Sequence, residues 1–167
     1  MKNNVRNIAY TGVFSAMIFA LTYFIHFPVA SGYVHMGDAL IYLCAGLLGS
    51  PWALIAGVIG EVFADVVSGY AVYTPATLII KLVVSFIFTL AYRKNTDKLF
   101  SIASALMTIP AGLITIAGYF AADMIINKAY AIADIPGNVV QAVGSAVLFV
   151  VLAVAFDSVK IKKRIRM

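Results

Sequence analysis

Ionisable residues inside long apolar runs are the first candidates for chemistry. Glu61 and Asp65 are four residues apart, so within a helix they share one face. Lys81 lies in the next apolar run, and pairing it with these carboxylates is the least costly way to keep three charges there. One negative charge then remains, to be met by a proton, a cationic ligand, a histidine or water. The group therefore forms either a buried ion pair that locks two helices together or one wall of a polar ligand cavity.

Three further pairs of polar residues, each about one helical turn apart, occur near the ends of apolar runs: His35 with Asp38, Tyr119 with Asp123, and Asn138 with Gln141. Asn138 and Gln141 either form hydrogen bonds between helices or bind a neutral heterocycle, because each side-chain amide offers a donor and an acceptor. Histidines as far apart as His26 and His35 are a weak indication of a transition metal. The lone Cys44 permits neither a disulfide nor a cysteine-based metal site. We expect no metal and no cofactor.

Motifs of known enzymes are absent from the sequence. It contains no G-x-x-x-x-G-K-[ST] phosphate-binding loop, no H-E-x-x-H metalloprotease motif and no G-x-S-x-G hydrolase motif. No nucleophile and base form an evident pair, so we expect a protein that is not an enzyme and does not itself hydrolyse ATP.

The composition points to the membrane. Hydrophobic residues make up 63% of the 167 residues and charged residues 11%, against about 25% charged residues in soluble domains. A soluble fold of this size exposes too much of its surface to hide so many apolar side chains. This excludes a soluble enzyme, a nucleic-acid binder and a disordered chain, although the net charge is +5.

The apolar runs predict an all-α integral membrane bundle of six helices in one domain, 1–167. A spanning helix needs about 20 residues because the hydrocarbon core is about 30 Å thick. The predicted helices cover about 8–25, 37–49, 51–69, 75–92, 99–122 and 136–156. The second run is too short for a straight span, so it either begins beneath the surface at the edge of a water-filled cavity or forms a re-entrant hairpin with the third. Pro110 in the fifth helix either kinks that helix or is merely a tolerated proline.

The distribution of Lys and Arg predicts the orientation of the bundle. With six spans both termini lie on one side, which holds most of the basic residues: Lys2, Arg6, Arg93, Lys94, Lys98, Lys160, Lys162, Lys163, Arg164 and Arg166. Because short cytoplasmic loops are enriched in Lys and Arg, we expect both termini on the cytoplasmic side of a bacterial cytoplasmic membrane. The outer loops carry aromatic and polar residues and have the composition of a binding surface.

A stripe of small residues marks the first predicted helix. Gly12, Ala16 and Ala20 repeat every four residues and allow another helix to approach closely. The partner of this stripe is either another helix of the same chain or a second protein.

Three segments resemble the substrate-binding S components of energy-coupling factor (ECF) vitamin transporters: Val34–Leu43, Gly60–Tyr70 and Tyr73–Lys81. The likeness is greatest to the branch of riboflavin-type and vitamin B6 or hydroxymethylpyrimidine-type components, and it extends over nearly the whole chain. The resemblance implies that a small water-soluble vitamin is bound near the outer face without ATP hydrolysis. It also implies a transmembrane coupling subunit and two cytoplasmic ATPases as partners, with the stripe of the first helix docking the coupling subunit.

The resemblance implies a binding site in the first outer loop and the last three helices. The implied residues are His35, Lys81, Tyr119, Asp123, Asn138 and Gln141, to which we add Asp38 and Tyr73. Glu61 and Asp65 fit the pattern of the branch, either as ligand contacts or only as partners of Lys81. The last three helices are poor in aromatic residues, so pyridoxine or hydroxymethylpyrimidine is favoured over riboflavin. The alternative function is a stand-alone ion-coupled carrier that uses Glu61, Asp65 and Lys81 as a proton relay.

Overall fold

The computed structural model describes residues 2–92 and 97–166, and nearly all of them are helical. The helices are α1 Lys2–Phe24, α2 Asp38–Leu47, α3 Trp52–Val67, α4 Thr74–Ala91, α5 Ile102–Leu106, α6 Thr108–Ile126, α7 Ile135–Ser158 and α8 Ile161–Arg166. A 3-10 turn, Ala71–Tyr73, precedes α4. A small antiparallel hairpin of β1 His26–Pro28 and β2 Tyr33–His35 follows α1. The predicted all-helical class is confirmed, and the hairpin is an addition that the sequence did not predict.

Four helical segments within residues 2–92 and 97–166 are long and apolar enough to cross a membrane. They are Asn4–Phe24, Ala71–Ala91, Ile102–Ile126 and Ile135–Ser158. The two helices between the first and second of these are shorter, with 10 residues in α2 and 16 in α3. Length and composition therefore support a membrane protein with at least these four spans in the described chain.

The helix predicted at 99–122 is interrupted, which favours the first of the two interpretations of Pro110. It consists of α5 and α6, which meet at Met107. Pro110 has no N–H to donate to the Leu106 carbonyl, and its ring clashes with that carbonyl, so the helix cannot continue regularly through this turn. The start is also later than predicted, because Ser101 and Ser104 cap each other's backbone N–H groups in a capping box.

The short helix α2 lies in the middle of the bundle. All ten of its residues are buried, and it contacts α1, α3, α4 and α7. The longer helices pack around α2, and each contacts the next in the order α1, α3, α4, α6, α7. Since protein surrounds α2, its length is not set by the thickness of a membrane.

The first and third helices pack very closely at a glycine. A Cβ atom on Gly60 would lie 2.7 Å from the Ile18 Cβ and 2.8 Å from the Ser15 carbonyl oxygen. Only a residue without a side chain permits this approach of α1 to α3. The close contact fixes which face of α1 is turned into the bundle.

The two ends of the bundle differ in chemistry. At one end the Asp157 carboxylate accepts the backbone N–H groups of Leu99 at 2.7 Å and Phe100 at 2.8 Å. The Lys162 Nζ lies 4.7 Å from the centre of the Tyr92 ring at the same end. The basic residues Arg93 and Lys94 lie outside the described residues. The hairpin and the 3-10 turn occupy the opposite end, which carries the polar residues considered next.

Candidate functional site

A cavity of about 40 Å³ lies at the hairpin end of the bundle. Its wall is formed by residues of the hairpin, the 3-10 turn and helices α3, α6 and α7: Val29, Ser31, Gly32, Tyr33, His35, Asp65, Tyr70, Tyr73, Tyr119, Asp123, Asp134 and Asn138. The structure thus brings together residues from five elements that are far apart in the chain. The wall is aromatic and acidic, and no Lys or Arg of the described residues belongs to it.

The hairpin contributes Tyr33, which bonds to the acidic residue of α3. The Tyr33 hydroxyl donates to Asp65 Oδ1 at 2.7 Å, and its ring lies 5.0 Å from that of Tyr70. Burial, together with the Asp65 charge, raises the pKa of Tyr33 above its ordinary value. Tyr33 is therefore a neutral donor that stabilises a carboxylate at the cavity wall.

The tip of the hairpin is tied to the far side of the cavity by Ser31. Its backbone N–H donates to Asp134 Oδ2 at 3.1 Å, and its hydroxyl donates to the same carboxylate. The Ser31 hydroxyl also lies 3.3 Å from Asp123 Oδ1 and accepts a hydrogen bond from the Tyr73 hydroxyl at 3.0 Å. These contacts join the tip of the hairpin to the 3-10 turn, to α6 and to the start of α7.

A fully buried ion pair lies beneath the cavity wall. Lys81 Nζ donates to Asp38 Oδ1 at 2.6 Å, and Gln141 Nε2 donates to Asp38 Oδ2 at 3.1 Å. The backbone N–H of His35 donates to Gln141 Oε1 at 3.3 Å. The prediction that Lys81 pairs with the carboxylates of α3 is therefore wrong. Asp38 is its partner because α2 starts there, inside the bundle and within reach of α4.

Glu61 has a different set of contacts. Thr22 Oγ1 donates to Glu61 Oε1 at 3.2 Å, and His35 Nε2 lies 3.2 Å from Oε2 without the alignment of a hydrogen bond. The Gly37 N–H donates to His35 Nδ1 at 3.1 Å, so Nδ1 is unprotonated and Nε2 carries the hydrogen. A side chain on Gly37 would overlap Thr22 Oγ1 and Glu61 Oε1. The chain can turn into α2 here only because residue 37 is a glycine.

Tyr119 separates the ion pair from the cavity. Its hydroxyl lies 3.2 Å from Thr77 Oγ1, and Lys81 Nζ is 5.4 Å from the centre of its ring. Tyr119 itself lines the cavity, so the positive charge of Lys81 is covered by an aromatic ring as well as neutralised by Asp38.

The predicted site residues fall into two groups. His35, Asp65, Tyr73, Tyr119, Asp123 and Asn138 line the cavity. Asp38, Glu61, Lys81 and Gln141 are buried in the layer beneath and do not line it. The lining residues that the sequence analysis did not name are Val29, Ser31, Gly32, Tyr33, Tyr70 and Asp134. All of these lie in or beside the outer loops, whose aromatic and polar composition was their one signal.

The small-residue stripe of α1 faces outward. Gly12 and Ala16 are exposed, Ala20 is half-buried, and a Cβ on Gly12 would meet nothing within 4 Å. The opposite face of α1 supplies Phe14 and Ile18 to the core. The stripe is thus available to a partner outside the described chain.

No metal centre is evident among residues 2–92 and 97–166, since no three His, Cys, Asp or Glu side chains are grouped to hold an ion. The fold and the cavity define a helical membrane protein with an aromatic and acidic pocket at one end.

The family follows from sequence comparison. Residues 2–158 match the model of the ECF-type riboflavin transporter S component family, and the chain belongs to this family. It is a family of transporter components and not of enzymes. S components of ECF transporters bind a vitamin and work with a membrane coupling subunit and ATPases.

A relative from Pyrococcus woesei, described as an uncharacterized protein in gap 3'region, is 31% identical over 126 residues. The match covers 72% of this chain and 80% of the relative. No solved structure matches the chain.

Proposed function

We propose that the protein is the substrate-capture component of an ECF-type importer in the bacterial cytoplasmic membrane. It binds a small water-soluble vitamin or precursor at the cavity beneath the hairpin and delivers it with a coupling subunit and two ATPases. The observation that carries the proposal is the family match over residues 2–158, in a chain whose one end holds a pocket lined by tyrosine and carboxylate side chains.

The proposed topology has six spans, with both termini and the basic residues in the cytoplasm. α2 and α3 count as the second and third spans, although α2 is short and surrounded by protein. Lys160, Lys162 and Lys163 follow α7 at the end opposite the cavity and support this arrangement, because short cytoplasmic segments are enriched in Lys and Arg. The cavity then faces the outside.

The cavity size supports a compact ligand and requires movement. A volume of about 40 Å³ accommodates a few water molecules, whereas benzene occupies a cavity of about 150 Å³. Any aromatic vitamin must therefore displace part of the wall. The hairpin is joined to the cavity wall through Ser31 and Tyr33, so we propose that it opens, and that pyridoxine or hydroxymethylpyrimidine fits more readily than riboflavin.

The outward stripe of α1 is the proposed docking surface for the coupling subunit. Small residues let two helices approach closely, Gly12 and Ala16 are exposed, and no described atom lies within 4 Å of a Cβ placed on Gly12. The relay that an ion-coupled carrier needs is less well supported, since Lys81 contacts Asp38 rather than Glu61 or Asp65.

The vitamin can be identified with the protein purified in detergent. A ligand that binds the folded state raises the melting temperature by mass action, so a thermal-shift panel of vitamins is expected to show one clear stabiliser. Calorimetry then gives its dissociation constant. A panel without any stabilising vitamin, in protein that melts cooperatively, contradicts the proposal.

Partner docking can be tested separately. Ala16→Leu is expected to abolish vitamin uptake and co-purification with the ATPase subunits while leaving vitamin binding unchanged. Val151→Leu, at an exposed position of α7 away from the stripe, is the control and keeps uptake. Loss of vitamin binding in Ala16→Leu shows instead that the stripe packs internally.

A further inference from the structure

The charges around the cavity are unbalanced. Asp65, Asp123 and Asp134 all line the wall, whereas no Lys or Arg of the described residues does so. Lys81, one layer deeper, is neutralised by Asp38 at 2.6 Å. Lys128 lies in the nearby outer loop but is exposed and does not line the cavity. An anionic ligand would therefore meet like charges without a compensating cation.

His35 does not supply the missing positive charge. Its Nδ1 accepts the Gly37 N–H at 3.1 Å, which a protonated imidazole cannot do. Burial, with the Lys81 charge adding to it, lowers the pKa of His35 to about 3. The imidazole is neutral at physiological pH.

One carboxylate oxygen in the wall lacks a hydrogen-bond donor. Asp65 is only 5% exposed, and its Oδ1 is bonded to Tyr33. Its Oδ2 is buried and accepts no hydrogen bond from a described residue, although the Thr77 hydroxyl also interacts with this carboxyl group. A buried polar atom without a partner is costly, so this oxygen is suited to a donor that arrives with the ligand.

The aromatic part of the wall favours the same chemistry. Tyr33, Tyr70, Tyr73 and Tyr119 all line the cavity. The faces of aromatic rings attract cations, and aromatic cages are a recurring means of binding ammonium groups. Tyrosines and carboxylates together form a surface for a ring that carries positive charge.

We infer that the site takes a small aromatic heterocycle bearing an ammonium or similar cationic donor, which contacts Asp65, and that it rejects phosphorylated and carboxylated compounds. This inference rests on the proposed function, because it names the class of vitamin that the capture site selects. Neutral ring alcohols bind more weakly than their amines.

Two matched series of ligands test the charge preference. Pyridoxamine, pyridoxine and 4-pyridoxate carry an ammonium, a hydroxyl and a carboxylate at one ring position. The 5-aminomethyl and 5-hydroxymethyl forms of 4-amino-2-methylpyrimidine form the second series, and riboflavin is tested beside them. Calorimetry is expected to give tightest binding for the amine of at least one series and none for 4-pyridoxate.

Asp65→Asn then locates the effect, because the amide can still accept the Tyr33 hydrogen bond but carries no charge. Affinity for the amine is expected to fall roughly 10- to 150-fold, as for loss of a charged hydrogen bond, and that for the alcohol to change much less. Asp97→Asn, an exposed carboxylate outside the cavity, is the matched control and changes neither affinity.

The possible results are distinct. Riboflavin binding alone, or equal or tighter binding of alcohol or carboxylate, overturns the inference and leaves the proposed capture function standing. An amine preference that survives in Asp65→Asn removes Asp65 from the contact and also overturns it. If no compound of either series and no other vitamin binds, the proposed function falls as well.

Discussion

The cavity wall and the buried layer beneath it are both polar, but their polar atoms are satisfied in different ways. In the buried layer the partners come from helices inside the bundle, as when Lys81 and Gln141 both bond to Asp38. At the wall the partners come largely from the hairpin, through Ser31 and Tyr33. The contacts of the buried layer stay in place when the hairpin moves, whereas the proposed opening of the hairpin breaks those of the wall.

This difference separates a structural role from a binding role for residues that look alike in the sequence. Asn138 and Gln141 are three residues apart on α7, yet Asn138 lines the cavity and Gln141 bonds to Asp38 and His35. On α3, Asp65 likewise lines the cavity, whereas Glu61 does not. Depth in the bundle, rather than residue type, decides which role is expected.

The largest expected effect is in the buried layer, for Lys81→Met. This change leaves Asp38 charged, fully buried and without its cation. Breaking a buried ion pair on one side lowers the free energy of unfolding by about 3–5 kcal/mol. Thermal or denaturant unfolding of the unliganded protein measures the loss.

Two variants sharpen this prediction. Adding Asp38→Asn to Lys81→Met removes the unpaired charge, so stability is expected to return in large part. Lys128→Met, at an exposed lysine, is expected to leave stability unchanged. A Lys81→Met protein as stable as the wild type would show that the ion pair does not hold the layer together.

The next effect concerns Gln141→Leu, which keeps the side-chain volume roughly constant. The Asp38 carboxylate loses a hydrogen bond, and the His35 backbone N–H loses its acceptor. A hydrogen bond to a charged group is worth about 1.5–3 kcal/mol, so the melting temperature is expected to fall. Ser145→Ala, one turn further along α7, removes a buried hydroxyl without a described partner and is expected to cost little. Equal losses in both variants would contradict the assignment of Gln141 to the network.

The helices were predictable because each depends on a local property. Runs of apolar residues gave α4 and α7 to within about two residues at their ends, and a kink at Pro110 was one of two interpretations, which the break between α5 and α6 favours. The composition of the predicted outer loops pointed to the end of the bundle at which the cavity lies. All three signals require only neighbouring residues.

The partners of the charged residues were not predictable from local patterns. Lys81 was assigned to the nearer helix α3, whereas its partner lies 43 positions away in α2. Ser31 and Asp134 are separated by 103 positions, and the strands that place Ser31 have only three residues each. Such contacts depend on how the helices pack against one another, and the periodicity of a single helix gives no information about that packing.

At the cavity wall, Asn138→Ala tests the binding side of the comparison. Loss of a hydrogen bond to the ligand costs about 1–3 kcal/mol, which corresponds to a dissociation constant raised by roughly 5- to 150-fold. The side-chain amide of Asn138 forms no hydrogen bond with a described residue, so the unliganded protein is expected to melt almost unchanged. Calorimetry measures the loss of ligand affinity, and thermal melting of the unliganded protein measures any loss of stability. Retained affinity with a large drop in melting temperature would make Asn138 a structural residue like Gln141.

The smallest expected effect is that of Ser31→Ala, which weakens the closure of the cavity without touching the helices. The Ser31 hydroxyl contacts Asp123, Asp134 and Tyr73, whereas its backbone N–H continues to bond to Asp134. A loss of about 0.5–1.5 kcal/mol from the closed state would speed ligand association and dissociation by roughly 2- to 13-fold. The dissociation constant changes less than either rate, because the hairpin opens both when the ligand enters and when it leaves. Stopped-flow mixing with the identified vitamin measures both rates, and Ser158→Ala, an exposed serine at the other end of α7, is the control. Unchanged rates in Ser31→Ala would mean that the ligand reaches the cavity by another path, and that the hairpin belongs to the closed, structural part of the molecule.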